Sequence, residues 1–503
     1  MAVLVLAATV GCGAHAAPQV PSAGPVTSKE AQAALRDLQQ QLTTVFNAPV
    51  MAHGMWGVHV RSLDRGDVLF AQNANKLMMP ASNMKILTMA ATAEQLGWDY
   101  RFPTTLETLG AVEDGTLRGD LIVRGGGDPT ISTRDNRNEL VFDEWAAALK
   151  SAGITAIDGR IIGDDQAFDD EGIGPGWSWD YLEAGYAAPI GALQYNENTA
   201  DVIIAPGAAA GDPAIVRIAP GAGYTIINRV LTGQPKPQGE PRGPINIQRR
   251  IDSPVLMLSG EIPLGSEEMR RTVAVLNPTL YFAQSLKDAL IARGITVAGD
   301  AVDIDDVVPE LTNGGSHERH VLVTTQSPPL REVGTVLMKV SQNQYAETFL
   351  KSIGAARGGL GTTNAGRRAA AEVFTNWGIP SDGYVMSDGS GLSRYNYIAP
   401  ATITTILGKM HADPRHRDAF LATLPIAGKD GTISNRMRGT PAEGNAIAKT
   451  GSIANVRSLS GYVKTRNGET LAFSIIANDF VIPSATVTWI ADLAVEILAN
   501  FRR

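Results

Sequence analysis

One cysteine and seven histidines in 503 residues leave this chain little room for several kinds of chemistry. The cysteine, Cys12, sits in an N-terminal stretch that reads as a leader. Residues 2–10 are apolar, small residues follow, and Ala14-His15-Ala16 precedes Ala17-Pro18. An apolar core followed by A-x-A marks a secretory signal, here cleaved after Ala16. The leader lacks an opening Lys or Arg, which leaves the true start codon open. Thr9-Val10-Gly11-Cys12 faintly matches a lipoprotein site, but threonine is poor where a branched apolar residue is usual. Simple cleavage leaves 503 − 16 = 487 residues without cysteine. That excludes a catalytic thiol, a disulfide framework and a thiolate zinc site, and it suits an oxidising envelope compartment. Nine or ten apolar residues are too few to span a bilayer. No long basic run occurs and the net charge is −8, which argues against nucleic acid and against a polybasic membrane anchor.

What is present is an ordinary folded chain, 44% apolar and 19% charged, and long enough for two or three domains. Residues 17–29 read as a linker rich in Pro, Ala, Ser and Gly. The spacing predicts a helix over 30–46 and strands over 56–60 and 68–70 about the turn Asp64-Arg65-Gly66-Asp67. Pro80-Ala81-Ser82-Asn83 opens a helix running to about 96, with Gly97 as its stop. From 99 to 320 the texture changes to short β-like runs between Gly, Asp and Pro, interrupted by one helix over 278–292. Helical patterns return over 330–341, 345–355, 363–377 and 401–412. A hairpin over 458–464 and 470–476 turns at Arg466-Asn467-Gly468, and a helix over 485–501 closes the chain. The two ends thus supply strands plus helices. The expected fold is α/β (α+β), one domain built from 30–98 and 321–503 and interrupted by a β-rich insertion over 99–320 in two subdomains.

Three short motifs carry chemistry. Ser82-Asn83-Met84-Lys85 places a lysine one turn after a serine, so the amine can reach the hydroxyl. Serine is a feeble nucleophile until a neighbour takes its proton, and lysine can do so only if its own pKa is pulled down. Ser341-Gln342-Asn343 offers a second hydroxyl to relay a proton and an amide to hold a carbonyl. Lys449-Thr450-Gly451-Ser452 reads as an edge strand whose glycine allows close backbone approach. There Lys449 would supply positive charge and Thr450 a hydroxyl for a terminal carboxylate. Each motif alone has an ordinary explanation: a solvated lysine, a helix cap, a strand before a turn. Each occurs once, in the order needed, and together they reverse those explanations.

The set S-x-x-K, S-x-N and K-T-G resembles the active-site motifs of penicillin-binding proteins and serine β-lactamases. The separation of Ser82 from Ser341, 341 − 82 = 259 residues, narrows the likeness. It resembles class C low-molecular-mass penicillin-binding proteins, the D-alanyl-D-alanine carboxypeptidase/endopeptidase family, with extra domains between the first two motifs. Gly125-Gly126-Gly127-Asp128-Pro129, Pro175-Gly176-Trp177 and Ser387-Asp388-Gly389-Ser390-Gly391-Leu392-Ser393-Arg394 are similar to that family too. The resemblance implies an antiparallel sheet flanked by helices, no cofactor, and action on peptidoglycan stem peptides ending in D-Ala-D-Ala, with β-lactams as inhibitors. It implies Ser82 as acylated nucleophile, Lys85 as its base, Ser341 as proton relay and Asn343 as a substrate contact. Lys449 and Thr450 would bind the terminal carboxylate, and the backbone N–H groups of Ser82 and Ser452 would form the oxyanion hole. An aspartate of the insertion would read a free amine of the peptide side chain, with Asp164 the best match and Asp165 beside it. An exported, periplasmic or cell-envelope location follows, with room for peripheral membrane association.

Other signals fall away. Gly125-Gly126-Gly127 has no following Gly-Lys-Ser/Thr, so a turn explains it better than a phosphate loop. His317-Glu318-Arg319-His320 is one residue short of a zinc-protease pair, so no metal is assigned. Trp177 and Trp179 could stack on sugars, with buried core as the simpler expectation. Two rivals stay in view: a serine β-lactamase, which would turn penicillin over rapidly, and a non-catalytic wall-binding or penicillin-sensing protein.

Overall fold

The computed structural model describes residues 28–237, 243–250, 253–307 and 319–503. The leader, Cys12, His317 and Glu318 lie outside the described residues. The expected N-terminal hairpin forms from β1 (Met55–Ser62) and β2 (Val68–Gln72). Its partner comes from the far end of the chain. Strands β3 (Ile447–Ile453), β4 (Val456–Lys464) and β5 (Thr470–Asn478) complete one antiparallel sheet in the order β3-β4-β5-β1-β2. β3 is an edge, as the K-T-G reading requires.

This sheet is covered on both faces, which is why its strands are apolar on successive residues. On one face, Phe473 and Ile475 pack with α1 (Ser28–Phe46) and the closing helix Ser484–Asn500. α1 turns Leu38, Leu42 and Phe46 inward, four residues apart on one stripe. On the other face, Ala472 and Ile476 meet a helical layer. At its centre is α2 (Met84–Leu96), buried at every position from Met84 to Ala93 and stopped at Gly97, whose φ is +77°. A helix apolar all round needs neighbours all round. The helices Leu330–Lys339, Asn343–Ala355, Thr363–Asn376 and Pro400–Ala412 supply them.

The described residues of 103–326 add no strand to this sheet and form sheets of their own, one of seven strands and two of three. Among the described residues, two α-helices, not one, break this β-rich stretch: Pro278–Ala292 as expected, and Arg137–Ser151. The second was hidden by its start, where Asp135 and Asn136 are left-handed (φ +54° and +58°) and give a polar, turn-like run. Its apolar stripe of Val141, Phe142, Trp145 and Leu149 nevertheless packs against Phe282 and Leu286 of the other helix. A short helix, Arg417–Thr423, was also not expected. Among the described residues, no helix is long and apolar enough to cross a membrane.

Candidate active site

Two loops and an edge strand meet at the start of α2. Ser82 lies in the 3₁₀ turn Ala81–Asn83 that leads into α2. Ala81 holds a left-handed φ of +47°, and so does Ser341, at +65°, in the turn before the helix Asn343–Ala355. Non-glycine residues in that region cost about 1–3 kcal/mol each, and they persist where surrounding contacts over-determine them. Here the contacts are visible. The Asn83 amide donates to the Lys449 carbonyl (2.9 Å), and the Ser458 hydroxyl donates to the Pro80 carbonyl (2.7 Å), tying the turn to β3 and β4. A side chain on Gly451 would put its Cβ 2.9 Å from the Ser82 nitrogen. β3 and the Ser82 turn therefore touch backbone to backbone.

Lys85 is fully buried. Its Nζ lies 3.0 Å from Ser82 Oγ, 2.6 Å from Asn343 Oδ1 and 2.7 Å from the Ser390 carbonyl. Burial pulls its pKa down to about 7, against the charges of Asp388 and Glu347, which push it up. Those two carboxylates buttress the loop that carries Ser390. Glu347 accepts from the backbone N–H groups of Gly389 and Ser390, and Asp388 from those of Gly391 and Ser393 and from the Trp177 indole. Burial, and then the charge on Asp388, pushes Glu347 up to about 7. Gly391 in that loop admits no other residue: a Cβ there would stand 1.9 Å from the Ala81 carbonyl, at a φ of +86°.

Lys449 sits on the other side of the same cluster, with Nζ 2.7 Å from Ser341 Oγ and 2.9 Å from the Thr450 carbonyl. It too is fully buried, and desolvation, followed by the charge on Lys85, holds its pKa well below the ordinary lysine value. Thr450 faces outward, its hydroxyl 2.7 Å from that of Thr432. Asn343 spans two walls, accepting from Lys85 and donating to the Tyr186 carbonyl (2.7 Å). The middle residue of S-x-N is tied as well. Gln342 donates to Glu197, whose other oxygen takes two bonds from Arg134 (2.6 and 2.9 Å).

Ser82, Ser341, Asn343, Thr450 and Ser452 all line one cleft of 510 Å³. Residues the sequence did not single out close it: Tyr181, Tyr186, Thr432, Ile453 and Arg457. For Tyr181 and Tyr186 the local signal was the density of aromatics after Trp177; Thr432, Ile453 and Arg457 had none. Asp164 is not brought to this cleft. It is buried, and its carboxylate is held by Arg319 at 2.7 Å, so it serves the interior of the inserted sheet. Asp165 does not line the cleft either; it accepts from Thr279 at 2.6 Å, and burial, with the nearby Asp303 and Asp305, pushes it up to about 6. Trp177 is buried as expected, whereas Trp179 is 67% exposed.

Known proteins resemble this chain over most of its length. The family model described as D-Ala-D-Ala carboxypeptidase 3 (S13) matches residues 38–500. The chain is 32% identical over 468 residues to a D-alanyl-D-alanine carboxypeptidase of Actinomadura sp. (strain R39), covering 91% of this chain and 84% of the relative. It is 27% identical over 434 residues to D-alanyl-D-alanine carboxypeptidase DacB of Haemophilus influenzae, covering 84% and 85%. A solved structure of penicillin binding protein 4 (dacB) from Haemophilus influenzae superposes with a TM-score of 0.74 at 25% identity, covering 89% of this chain and 94% of that one.

Proposed function

The chain belongs to the D-Ala-D-Ala carboxypeptidase 3 (S13) family, and on that footing we propose that it is a serine DD-peptidase cutting D-alanyl bonds of peptidoglycan stem peptides through an acyl-enzyme on Ser82. Ser82 Oγ attacks the carbonyl of the penultimate D-alanine while its proton passes to neutral Lys85. The backbone N–H groups of Ser82 and Ser452 stabilise the oxyanion, a contribution of about 3–4 kcal/mol in comparable enzymes. Ser341 hands a proton to the departing amine and takes one from protonated Lys449; water then attacks the acyl-enzyme, its proton passing through Ser341 back to Lys449 while Lys85 returns its own to Ser82 Oγ. β-Lactams acylate the same hydroxyl. The site of action is the periplasm or cell envelope, and any contact with a membrane is peripheral.

One observation carries this reading: the hydrogen-bond arithmetic at Lys85 Nζ. A neutral amine has two hydrogens and one lone pair. Two of its three neighbours, Asn343 Oδ1 and the Ser390 carbonyl, can only accept, and the third is the Ser82 hydroxyl. The two hydrogens are spoken for, so the lone pair faces Ser82. Once protonated, the amine has three donors for the same three neighbours and nothing need move. The test is intact-mass analysis after exposure to a penicillin, followed by peptide mapping. A single adduct on Ser82 is expected; no adduct, or one on another residue, would sink the assignment.

The tie from Glu197 to Gln342 bears on the relay, because it fixes the turn that holds Ser341 at its left-handed φ. Losing one charge-assisted hydrogen bond of about 1.5 kcal/mol is worth about ten-fold in rate. Glu197→Ala is therefore expected to acylate about ten-fold more slowly, and Glu197→Gln, which keeps an acceptor for Gln342, less so. Stopped-flow acylation alongside a melting curve separates this from general unfolding.

A further inference from the structure

The cleft that takes the proposed substrate ends at a charge no sequence motif announces. β3 and β4 pair with Ser452 opposite Arg457 and Thr450 opposite Leu459. Cross-strand partners in an antiparallel pair leave the sheet on the same face, so Thr450, Ser452 and Arg457 share one face while Lys449 points to the other. Among the described residues that line the cleft, Arg457 is the single charged one. Its Nη1 donates to the carbonyls of Ile453 (3.0 Å) and Val456 (2.7 Å), which fixes the plane of the guanidinium. No carboxylate among the described residues pairs with it. Desolvation lowers its pKa, with no acidic neighbour raising it. A half-buried cation without a counter-ion is costly to keep, and a planar fork with free N–H groups suits a carboxylate.

Lys449 is badly placed for that task. It is fully buried, and its Nζ is engaged by Ser341 and by the Thr450 carbonyl. We propose that Arg457, with the hydroxyls of Thr432 and Thr450, binds the free carboxylate of the substrate's C-terminal residue, leaving Lys449 to the proton relay. This assignment rests on the DD-peptidase reading above and names what that enzyme recognises beyond the scissile bond.

The experiment compares a diacylated L-Lys-D-Ala-D-Ala tripeptide with its C-terminal amide, on the wild type, Arg457→Gln and Arg457→Lys. The wild type is expected to prefer the acid in kcat/KM by on the order of 100-fold, the scale of one charge-assisted pair. In Arg457→Gln the preference should collapse to below ten-fold, mainly through a higher KM for the acid, and Arg457→Lys should recover part of it. An acid-to-amide ratio in Arg457→Gln equal to that of the wild type overturns the assignment. So does an equal fall on both peptides, which would mark Arg457 as a support of the cleft wall. Failure of the underlying reading looks different: wild type would release no D-alanine from either peptide and take no penicillin on Ser82.

Discussion

Replacing Lys85 by glutamine should slow acylation of Ser82 by about 10²–10⁴-fold, the scale of a lost general base, and should remove the pH dependence of the step. The side chain is close in length and keeps a donor for Asn343 Oδ1 or the Ser390 carbonyl. What disappears is the lone pair facing the Ser82 hydroxyl. In the wild type that lone pair is available only when Lys85 is neutral. With its pKa pulled down to about 7 by burial, the base form is scarce below that pH and dominant above it. Acylation by a penicillin, whose own charge is constant over the range, should therefore rise with pH, bend near 7 and level off above. Rates of fluorescent-penicillin labelling from pH 5 to pH 9 give both readings. A wild-type rate flat across that range, or a Lys85→Gln enzyme within ten-fold of wild type, would mean that some other group takes the proton.

The parts of this site that could be read from the sequence are those fixed by local geometry. Ser82 and Lys85 are one helical turn apart, so their contact follows from spacing alone. The same holds for a glycine on an edge strand beside Lys449. The meeting of Ser82, Ser341 and Lys449 was not local, and it rested on the family resemblance, which the match over residues 38–500 bears out. The expected fold class holds too, since both chain ends do feed one antiparallel sheet.

What escaped the sequence depends on burial and on long-range partners. Asp164 and Asp165 stand side by side in the sequence as candidates to read a substrate amine, yet one is locked to Arg319 and the other to Thr279, and neither lines the cleft. Lys449 stands in its motif as a charge for a terminal carboxylate, and its full burial against Ser341 and the Thr450 carbonyl could not be read there. Arg457 looks like any strand arginine until its register opposite Ser452 is known. Glu347 and Asp388 act through the loop they brace, at 41 residues' separation (388 − 347).

Gly451→Ala is the substitution with the next largest expected effect, although it adds one methyl group and changes no charge. The backbone of Gly451 is extended, not left-handed, so alanine brings no conformational strain of its own. The cost is entirely contact. The new Cβ would stand 2.2 Å from Ser458 Oγ, 2.7 Å from the Pro80 carbonyl and 2.9 Å from the Ser82 nitrogen. The Ser458 hydroxyl can rotate aside, but it then gives up its bond to Pro80, at about 1 kcal/mol. The two backbone atoms cannot rotate, so β3 must draw back from the turn that carries Ser82. That movement separates the N–H groups of Ser82 and Ser452, and the oxyanion loses a donor at the distance where it counts. Loss of one such donor costs about 10²–10³-fold, and acylation should fall by that factor while the melting temperature drops only a few degrees. Gly359→Ala serves as the control, since a Cβ there meets nothing within 4 Å and its φ is not left-handed. If Gly451→Ala acylates as fast as Gly359→Ala, then β3 and the Ser82 turn do not press together as closely as the oxyanion hole demands.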